Sequence, residues 1–583
     1  MGSDQKVRRV GFRHGMSKYM VHSCQLLAIS DTWVCKLLNT LDHFQLPLHA
    51  FVASRTSNMA SNTSLGLDLE SIWSLSTLTH VLVAILGYHL CLSIYRIWFH
   101  PLSGIPGPWY MAASHLPEFY YDVLLGGKLF HAIDAVHEKY GPVVRISPRE
   151  VHFDDVDMIS ILYPLSGRKT NKPIDIGKRT GTPDSLVATV DHDDHRRRRN
   201  AMSAFFSNNS IRRLEPIMQE RLRKLLIRIR DHGDDKPMVM HPVFRACTND
   251  VITTYAFGSC FNLLEEPTFG EPYFKSCDIL FRLEHVFGSF FWLADLFHHM
   301  PLWLVPWLVP EMRLLVEKQQ WWIDRVREIR DHPDREARSK STILEGVITG
   351  RLVDKDLTDK RLVAEAQLLI FAGEGTTAHS LVAAVYHVLT NPPIFDTLKE
   401  ELTAAIPDDK ALPTFQQIET LPFLNAVIQE TVRLHPGVIA RQVRISPDTP
   451  IAYKDKYVIP PGTMYSMSPS TTHLTAAEFG PDPYVFRPQR WIENPKISQA
   501  FLGFARGSRN CVGMNLARKE MAMILATLFR KYDLAGKGRK TEKGRPTMAL
   551  YDTERKRDID PASDYIIPIP QKGSQGLRVV FGH

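Results

Sequence analysis

The chain has 583 residues, 44% of them hydrophobic and 23% charged, with ten Trp, a composition that buries a large core and excludes a wholly disordered chain. A formal charge of +7 and a pI near 8.9 suit a face meeting anionic lipid or an acidic protein. With no zinc finger, RRM signature or sustained basic-aromatic stripe, they do not support nucleic-acid binding. Seven scattered cysteines, odd in number and without CxxC spacing, exclude a disulfide scaffold and a structural zinc site.

Residues 1–70 open with a basic cluster (Lys6, Arg8, Arg9, Arg13, Lys18) and continue in moderately apolar stretches broken by polar residues. They are expected to form a poorly ordered extension, and Asp4, Asp31 and Asp42 weigh against a transit peptide. Residues 71–95 are expected to cross a membrane once, because the run from Ile72 to Ile94 has no Asp, Glu, Lys or Arg and has about the length a spanning helix requires. The competing reading is a buried core helix, which His80 and His89 favour. Asp68 and Glu70 before the span and Arg96 after it turn the body toward the cytoplasm. That orientation leaves Asn62, in Asn62-Thr63-Ser64, on the lumenal side as a glycosylation acceptor. Residues 96–108, with Pro101, Pro106 and Pro108, read as a stiff proline-rich hinge. Residues 109–583 read as one mainly helical body with small sheets, strands being suggested by VVRI (143–146) and YVIPPGT (457–463).

Within the body, DHDDHRRRRNAMSAFFS places His195 and Arg199 one helical turn apart; taken alone, four successive arginines make a solvated face or a phosphate patch. Phe281 to Trp307 is densely aromatic and suits either an apolar entry channel or ordinary core. A long helix is expected from Asp359 to Leu389, entered after Thr358. At its middle LLIFAGEGTTAHS brings glycines and threonines that loosen a helix beside a small ligand. In LPFLNAVIQETVRLHPG, Glu430 and Arg433 share a helix face at i, i+3, a spacing usually filled by a solvated ion pair. FLGFARGSRNCVG (501–513) places Cys511 where a loop enters a helix, and unpaired amides at that terminus are expected to lower the thiol pKa. Gly507 and Gly513 permit close backbone approach there, and Arg509 offers a fork of donors to a carboxylate.

This last segment resembles the ligand loop of the cytochrome P-450 family, Phe-x-x-Gly-x-Arg-x-Cys-x-Gly, through Phe504, Gly507, Arg509, Cys511 and Gly513. The resemblance extends over roughly 320 residues, through Glu430-x-x-Arg433, FRPQRW with Arg490, and Ala372-Gly373 followed by Thr376. It implies the mainly α fold of that family with an N-terminal transmembrane anchor. It also implies haem b with Cys511 as thiolate ligand to the iron, pushing electron density that favours O–O cleavage. Phe504 would shield the sulfur, Gly513 would let the following helix lie against the porphyrin, and Arg509 would pair a haem propionate. His195 and Arg199 would join Arg509 there, with Arg441 and Arg444 as further candidates. Glu430, Arg433 and Arg490 would form a buried network behind the haem. Thr376 would orient a proton-donating water, but Gly375 occupies the family's usual carboxylate position. Glu374, the nearest acid, points about 100° away on an ideal helix.

The activity implied is insertion of one oxygen atom from O₂ into a lipophilic small molecule, with NADPH electrons delivered by a separate cytochrome reductase, since no flavin or nicotinamide fingerprint is present. The hinge, HRRRR and ISPDTPIAYKDKYVIPPGT look most like fungal microsomal members that oxidise terpenoids, polyketides and other secondary metabolites, which places the protein in the endoplasmic reticulum membrane. The alternatives are an O₂-independent isomerase or dehydratase on the same fold, encouraged by Gly375, and a haem-binding membrane protein without turnover.

Overall fold

A computed structural model describes residues 75–179, 181–234, 236–331, 342–350, 352–536 and 544–582. The expected extension over 1–70 and the Asn62 sequon lie outside these residues. By its contacts the chain divides into two units, Met1–Ala84 and Ile85–His583. Helix α1 (Leu75–Ile94) runs through the expected span, and every side chain from Ser76 to Cys91 is exposed. Its apolar side chains, Leu82, Val83, Leu86 and Leu90 among them, are therefore unburied. That exposure is compatible with a membrane anchor and is not that of a buried core helix.

The second unit is built on helices α2 (His192–Ser203), α3 (Met240–Phe257), α4 (Glu271–Arg282), α5 (Arg313–Asp331), α6 (Asp359–Thr390), α7 (Pro422–Leu434) and α8 (Met514–Lys531), with shorter helices between them. Helix α6 also has the length and composition of a membrane span, but 78% of its apolar window is buried inside the protein. It is the core helix, begun by the Thr358 hydroxyl accepting from Arg361 N and ended before Pro392 and Pro393. Helices α3, α5 and α8 all pack on it. The glycines at its middle do not loosen it, because it stays α-helical through Thr377. They permit close approach instead: a Cβ at Gly373 would lie 2.9 Å from Ile252 Cγ1 on α3, and one at Gly375 would lie 2.7 Å from Ile567 Cδ1.

Strands β1 (Val143–Ser147), β2 (Glu150–Phe153), β3 (Arg444–Ile445) and β4 (Met464–Ser466) form a sheet in the order β1-β2-β4-β3. The β2–β4 pair is parallel, aligning Val151 with Tyr465, and the other pairs are antiparallel. The expected strand over 457–463 stops at Ile459, because Pro460 and Pro461 have no N–H for a ladder. A second sheet joins Pro237–Val239, Arg578–Gly582, Thr547–Leu550 and Asp533–Leu534, and a hairpin pairs Ser563–Tyr565 with Ile567–Ile569. The proline-rich segment is docked on the first sheet rather than free-standing. Arg145 N donates to Pro106 O at 2.7 Å, and the Arg145 guanidinium donates to Arg96 O at 2.7 Å.

One buried histidine ties α7 to the loop ahead of α8. His473 donates through Nδ1 to Arg433 O at 2.9 Å, and its Nε2 accepts from Leu502 N at 2.7 Å. Protonating Nε2 would break the second bond, and burial, against the pull of the bond to Arg433 O, holds the ring down to about 3. Burial likewise holds His379 and His387 at about 3. Their folded pKa values lie below the unfolded one, so from about pH 6.5 down to about 3 the unfolded chain binds protons that the folded chain does not, and stability falls as pH falls. Urea midpoints measured between pH 7.5 and 5 should drop on the acid side. His473→Asn should be less stable at every pH but lose about 1.4 kcal/mol less per pH unit below 6.5; an unchanged slope would show that His473 titrates normally in the fold.

Candidate functional site

The loop from Phe501 to Gly513 is folded so that one side chain is left open. Ala505 and Gly507 have positive φ (56° and 76°), and a Cβ at Gly507 would lie 2.5 Å from Tyr163 O, so only glycine fits there. Cys511 N donates to Phe504 O at 2.8 Å and Ser508 N donates to Pro164 O at 3.1 Å, which closes the loop upon itself and upon the body. Gly513 then caps α8, and a Cβ placed on it would find Cys511 Sγ at 3.9 Å and otherwise open space. Phe504 is partly buried against the core, with Arg518 over its ring at 5.3 Å.

Cys511 is exposed, whereas the flanking loop residues are buried or half-buried. Yet burial pushes its thiol up, against the Gly513 N–H and the Arg199 charge, which both pull it down. The sulfur therefore opens into a space enclosed by protein. Desolvation of the thiol thus works against the lowering expected from the helix terminus. A bound metal cation is what would hold this sulfur as a thiolate. Helix α6 has an opening of its own: Ala372 is exposed and Gly373 and Thr376 half-buried, between buried Phe371 and Thr377. Thr376 Oγ1 donates to Ala372 O at 2.9 Å.

Beside the loop lies a cluster of cations. Arg509 donates to Thr170 O (3.1 Å), Thr189 O (2.7 Å), Val190 O (2.8 Å) and Asp191 O (3.1 Å). Arg199 donates to Asn510 O and Oδ1 at 2.5 and 2.6 Å. Arg444 donates to Val443 O, and Lys172 to Val187 O at 2.6 Å. His195, on α2, is buried among them. No carboxylate of the described residues is ion-paired with any of the four cations. Burial together with mutual repulsion pushes Lys172 well down, Arg509 to about 9 and His195 to about 2. A buried cationic cluster without its own counter-charge is electrostatically incomplete, and two carboxylates of a bound group would complete it. Open space at the sulfur and at Ala372 together with this cluster fits an iron porphyrin with two propionates. Lys172 and Asn510 were not legible in the sequence: Lys172 lies in no motif, and Asn510 fills a variable position between Arg509 and Cys511.

Two candidates fall outside this site. Glu374 faces away, to α3: it pairs with Arg245 Nη2 at 3.0 Å, accepts from Asn249 Nδ2 and is fully buried. Arg245 also pairs with Asp278 at 2.9 Å, so the acid is a strut between helices, not a catalytic group. Arg441, expected as a propionate partner, is instead paired with Glu150 at 3.0 Å and with Glu118. The Glu430 network has its expected members. Glu430 accepts from Arg433 Nε and Nη2 (2.8 and 2.7 Å) and from Arg490 Nε (3.0 Å). Trp491 Nε1 at 2.9 Å is a further donor.

The aromatic stretch divides. Phe287 is core, whereas Trp292, Trp303 and Trp307 are 48%, 75% and 76% exposed.

A family model described as Cytochrome P450 matches residues 106–556. Among curated proteins, the cytochrome P450 monooxygenase tpcC of Cochliobolus heterostrophus is 36% identical over 512 residues, 86% of this chain and 97% of that protein. The tryptophan 6-hydroxylase fscE of Fusarium equiseti is 34% identical over 496 residues, covering 84% of this chain and 94% of its own length. The fusicoccadiene C-8 hydroxylase of Phomopsis amygdali is 33% identical over 503 residues, covering 83% and 93%.

Proposed function

This chain belongs to the cytochrome P450 family and is an oxidoreductase that requires a redox partner and takes a small-molecule substrate, and on that premise we propose that it is a haem b monooxygenase acting on a lipophilic secondary metabolite, with Cys511 as the iron ligand. The observation that carries the reading is the open sulfur of Cys511 beside four cations that lack a carboxylate. Haem bound there would supply one-electron and O₂ chemistry. The protein's own contributions are separate from it. Gly507 and the Phe504 carbonyl fix the cysteine, Gly513 keeps the space over the sulfur clear, and Arg199, Arg444, Arg509 and Lys172 would neutralise the propionates. Thr376 holds a hydroxyl toward the reacting side of α6. Electrons would come from an NADPH-cytochrome reductase. Helix α1 would be the single-pass anchor in the endoplasmic reticulum membrane with the body in the cytoplasm, and the exposed tryptophans suit uptake of an apolar substrate from the bilayer surface.

Two of the relatives named above are named for hydroxylating tryptophan and fusicoccadiene, so those two compounds form a rational first panel. Incubation of the membrane-bound protein with reductase and NADPH should convert at least one panel member or a co-expressed pathway metabolite to a product heavier by one oxygen, labelled from ¹⁸O₂. Gly375 supports a second reading, an isomerase or dehydratase. Conversion that persists without NADPH and O₂ would select it and reject oxygen insertion.

A further inference from the structure

Gly375 has no side chain, and a residue from far along the chain takes its place. On α6, Ala372, Gly375 and Thr376 share one face, at spacings of three and four residues. Ala372 is the exposed residue of the opening on that helix and Thr376 is half-buried at it. A Cβ on Gly375 would meet Ile567 Cδ1 at 2.7 Å, and the next atom, Ile567 Cγ1, only at 4.0 Å. A single methyl group therefore occupies the room that a side chain at 375 would take. Ile567 is itself half-buried, so part of its side chain is left uncovered there. On the Thr376 flank, a Cβ at Gly437 would lie 2.8 Å from Thr376 Cβ, so the face is bounded by chain on two sides.

The hairpin that carries Ile567 is built to hold it in position. Ile567 is paired with Tyr565, and Ile566 alone makes the turn between them. Ile566 has a φ of 66°, a left-handed backbone that a β-branched residue rarely adopts. Asp564 Oδ1 accepts from its N–H at 3.0 Å. Strain of this kind persists only where the surroundings over-determine it, and here they do. Asp564 N donates to Gly127 O at 2.9 Å, and His285 Nε2 donates to Asp564 O at 2.5 Å. Lys128 donates to Ala562 O, and Arg282 of α4 lies over the Tyr565 ring at 5.6 Å. Gly127 has a φ of 70°, and a Cβ on it would overlap Asp564 O, so only glycine lets this turn press against the hairpin.

We infer that Ile567 is a specificity-determining residue: it supplies from the hairpin the wall that Gly375 lacks, and it makes that wall apolar, so that the part of the substrate held beside Thr376 is hydrocarbon. The inference deepens the monooxygenase reading and rests on it. A hydroxyl, amine or carboxylate set against Cδ1 would lose water without a hydrogen bond in return, whereas a methylene there makes dispersion contacts. Because one methyl fills the room, the wall can be moved from either side. Ile567→Val removes Cδ1 and widens the site. Gly375→Ala puts a Cβ into the same room and pushes Ile567 outward, which narrows it. The two substitutions together exchange one methyl for another.

The test uses full-length haem-loaded protein as wild type, Ile567→Val, Gly375→Ala and the double variant. Urea midpoints should fall in both single variants and return toward wild type in the double. A double variant that loses the sum of the two single losses would show that these side chains do not share the room, and would overturn the inference. The second readout needs no turnover: dissociation constants for imidazole and 4-phenylimidazole, taken from the shift of the Soret band. Their ratio should move by about fourfold, the effect of one buried methylene, toward the larger probe in Ile567→Val and away from it in Gly375→Ala, and should return close to wild type in the double. Ratios unchanged in both single variants would make Ile567 a packing residue only and overturn the assignment. Ile567→Thr, which matches valine in shape but places a hydroxyl in the wall, should bind 4-phenylimidazole more weakly than Ile567→Val, and equal binding would overturn the apolar wall. Conversion of substrate that persists without NADPH and O₂ would reject the monooxygenase reading, while the azole ratios still judge the wall.

Discussion

Cys511→Ala is expected to leave a folded protein that gives no long-wavelength Soret band when reduced under carbon monoxide and no oxygenated product. The argument has a chemical half and a mechanical half. Chemically, the sulfur is the exposed soft donor that the ligand loop presents. Alanine supplies no donor atom, and the band that reports thiolate ligation disappears with it. Mechanically, the loop does not depend on the sulfur. Its closure comes from Cys511 N to Phe504 O, Asn510 N to Gly507 O and the Arg509 bonds to four carbonyls. The exposed side chain contributes little packing, so the apoprotein should change in stability by about 0.5 kcal/mol or less. Circular dichroism and a urea midpoint close to wild type, together with loss of the band, are the expected pair of results. A band retained in the alanine variant would assign the ligand elsewhere and remove the basis of the functional reading.

How much of this was legible in the sequence depends on how local the determining forces are. The ligand loop was readable because five fixed residues encode a backbone path, and Gly507 is where it is because Tyr163 O leaves no room for a Cβ. The long helix was readable from its Thr358 cap and its Asn391-Pro392 stop, and the direction of Glu374 followed from helix geometry alone. What failed was set by distant neighbours. Arg441 looked equivalent to Arg444, yet Glu118 and Glu150, brought from the start of the body, claim it. The mid-helix glycines suggested slackness, whereas Ile252 and Ile567 show them to be points of contact. Lys172 joined the cationic cluster through a fold that no spacing rule near it encodes.

The second large effect is structural and should contrast with the first. Glu430→Gln is expected to prevent accumulation of haem-loaded protein and to cost about 3–5 kcal/mol, a large part of the stability of a typical domain. Glu430 is fully buried and accepts from Arg433 Nε and Nη2, Arg490 Nε, Trp491 Nε1 and Arg487 N, at distances between 2.7 and 3.0 Å. All five partners are donors, so an amide NH₂ in place of one carboxylate oxygen meets donors with a donor. The substitution also leaves two buried guanidinium groups without their shared negative charge. Arg433 is further committed to His473 O and Pro483 O at 2.8 and 2.7 Å, which places the network between α7 and the segment leading to the ligand loop. Disorder there propagates to Cys511 without touching it. Expression with added haem, followed by a urea midpoint on any soluble product, separates the two roles. Cys511→Ala should lose the spectrum and keep the fold, whereas Glu430→Gln should lose both, and a Glu430→Gln protein with a wild-type midpoint would show that the five contacts are not what holds this region in place.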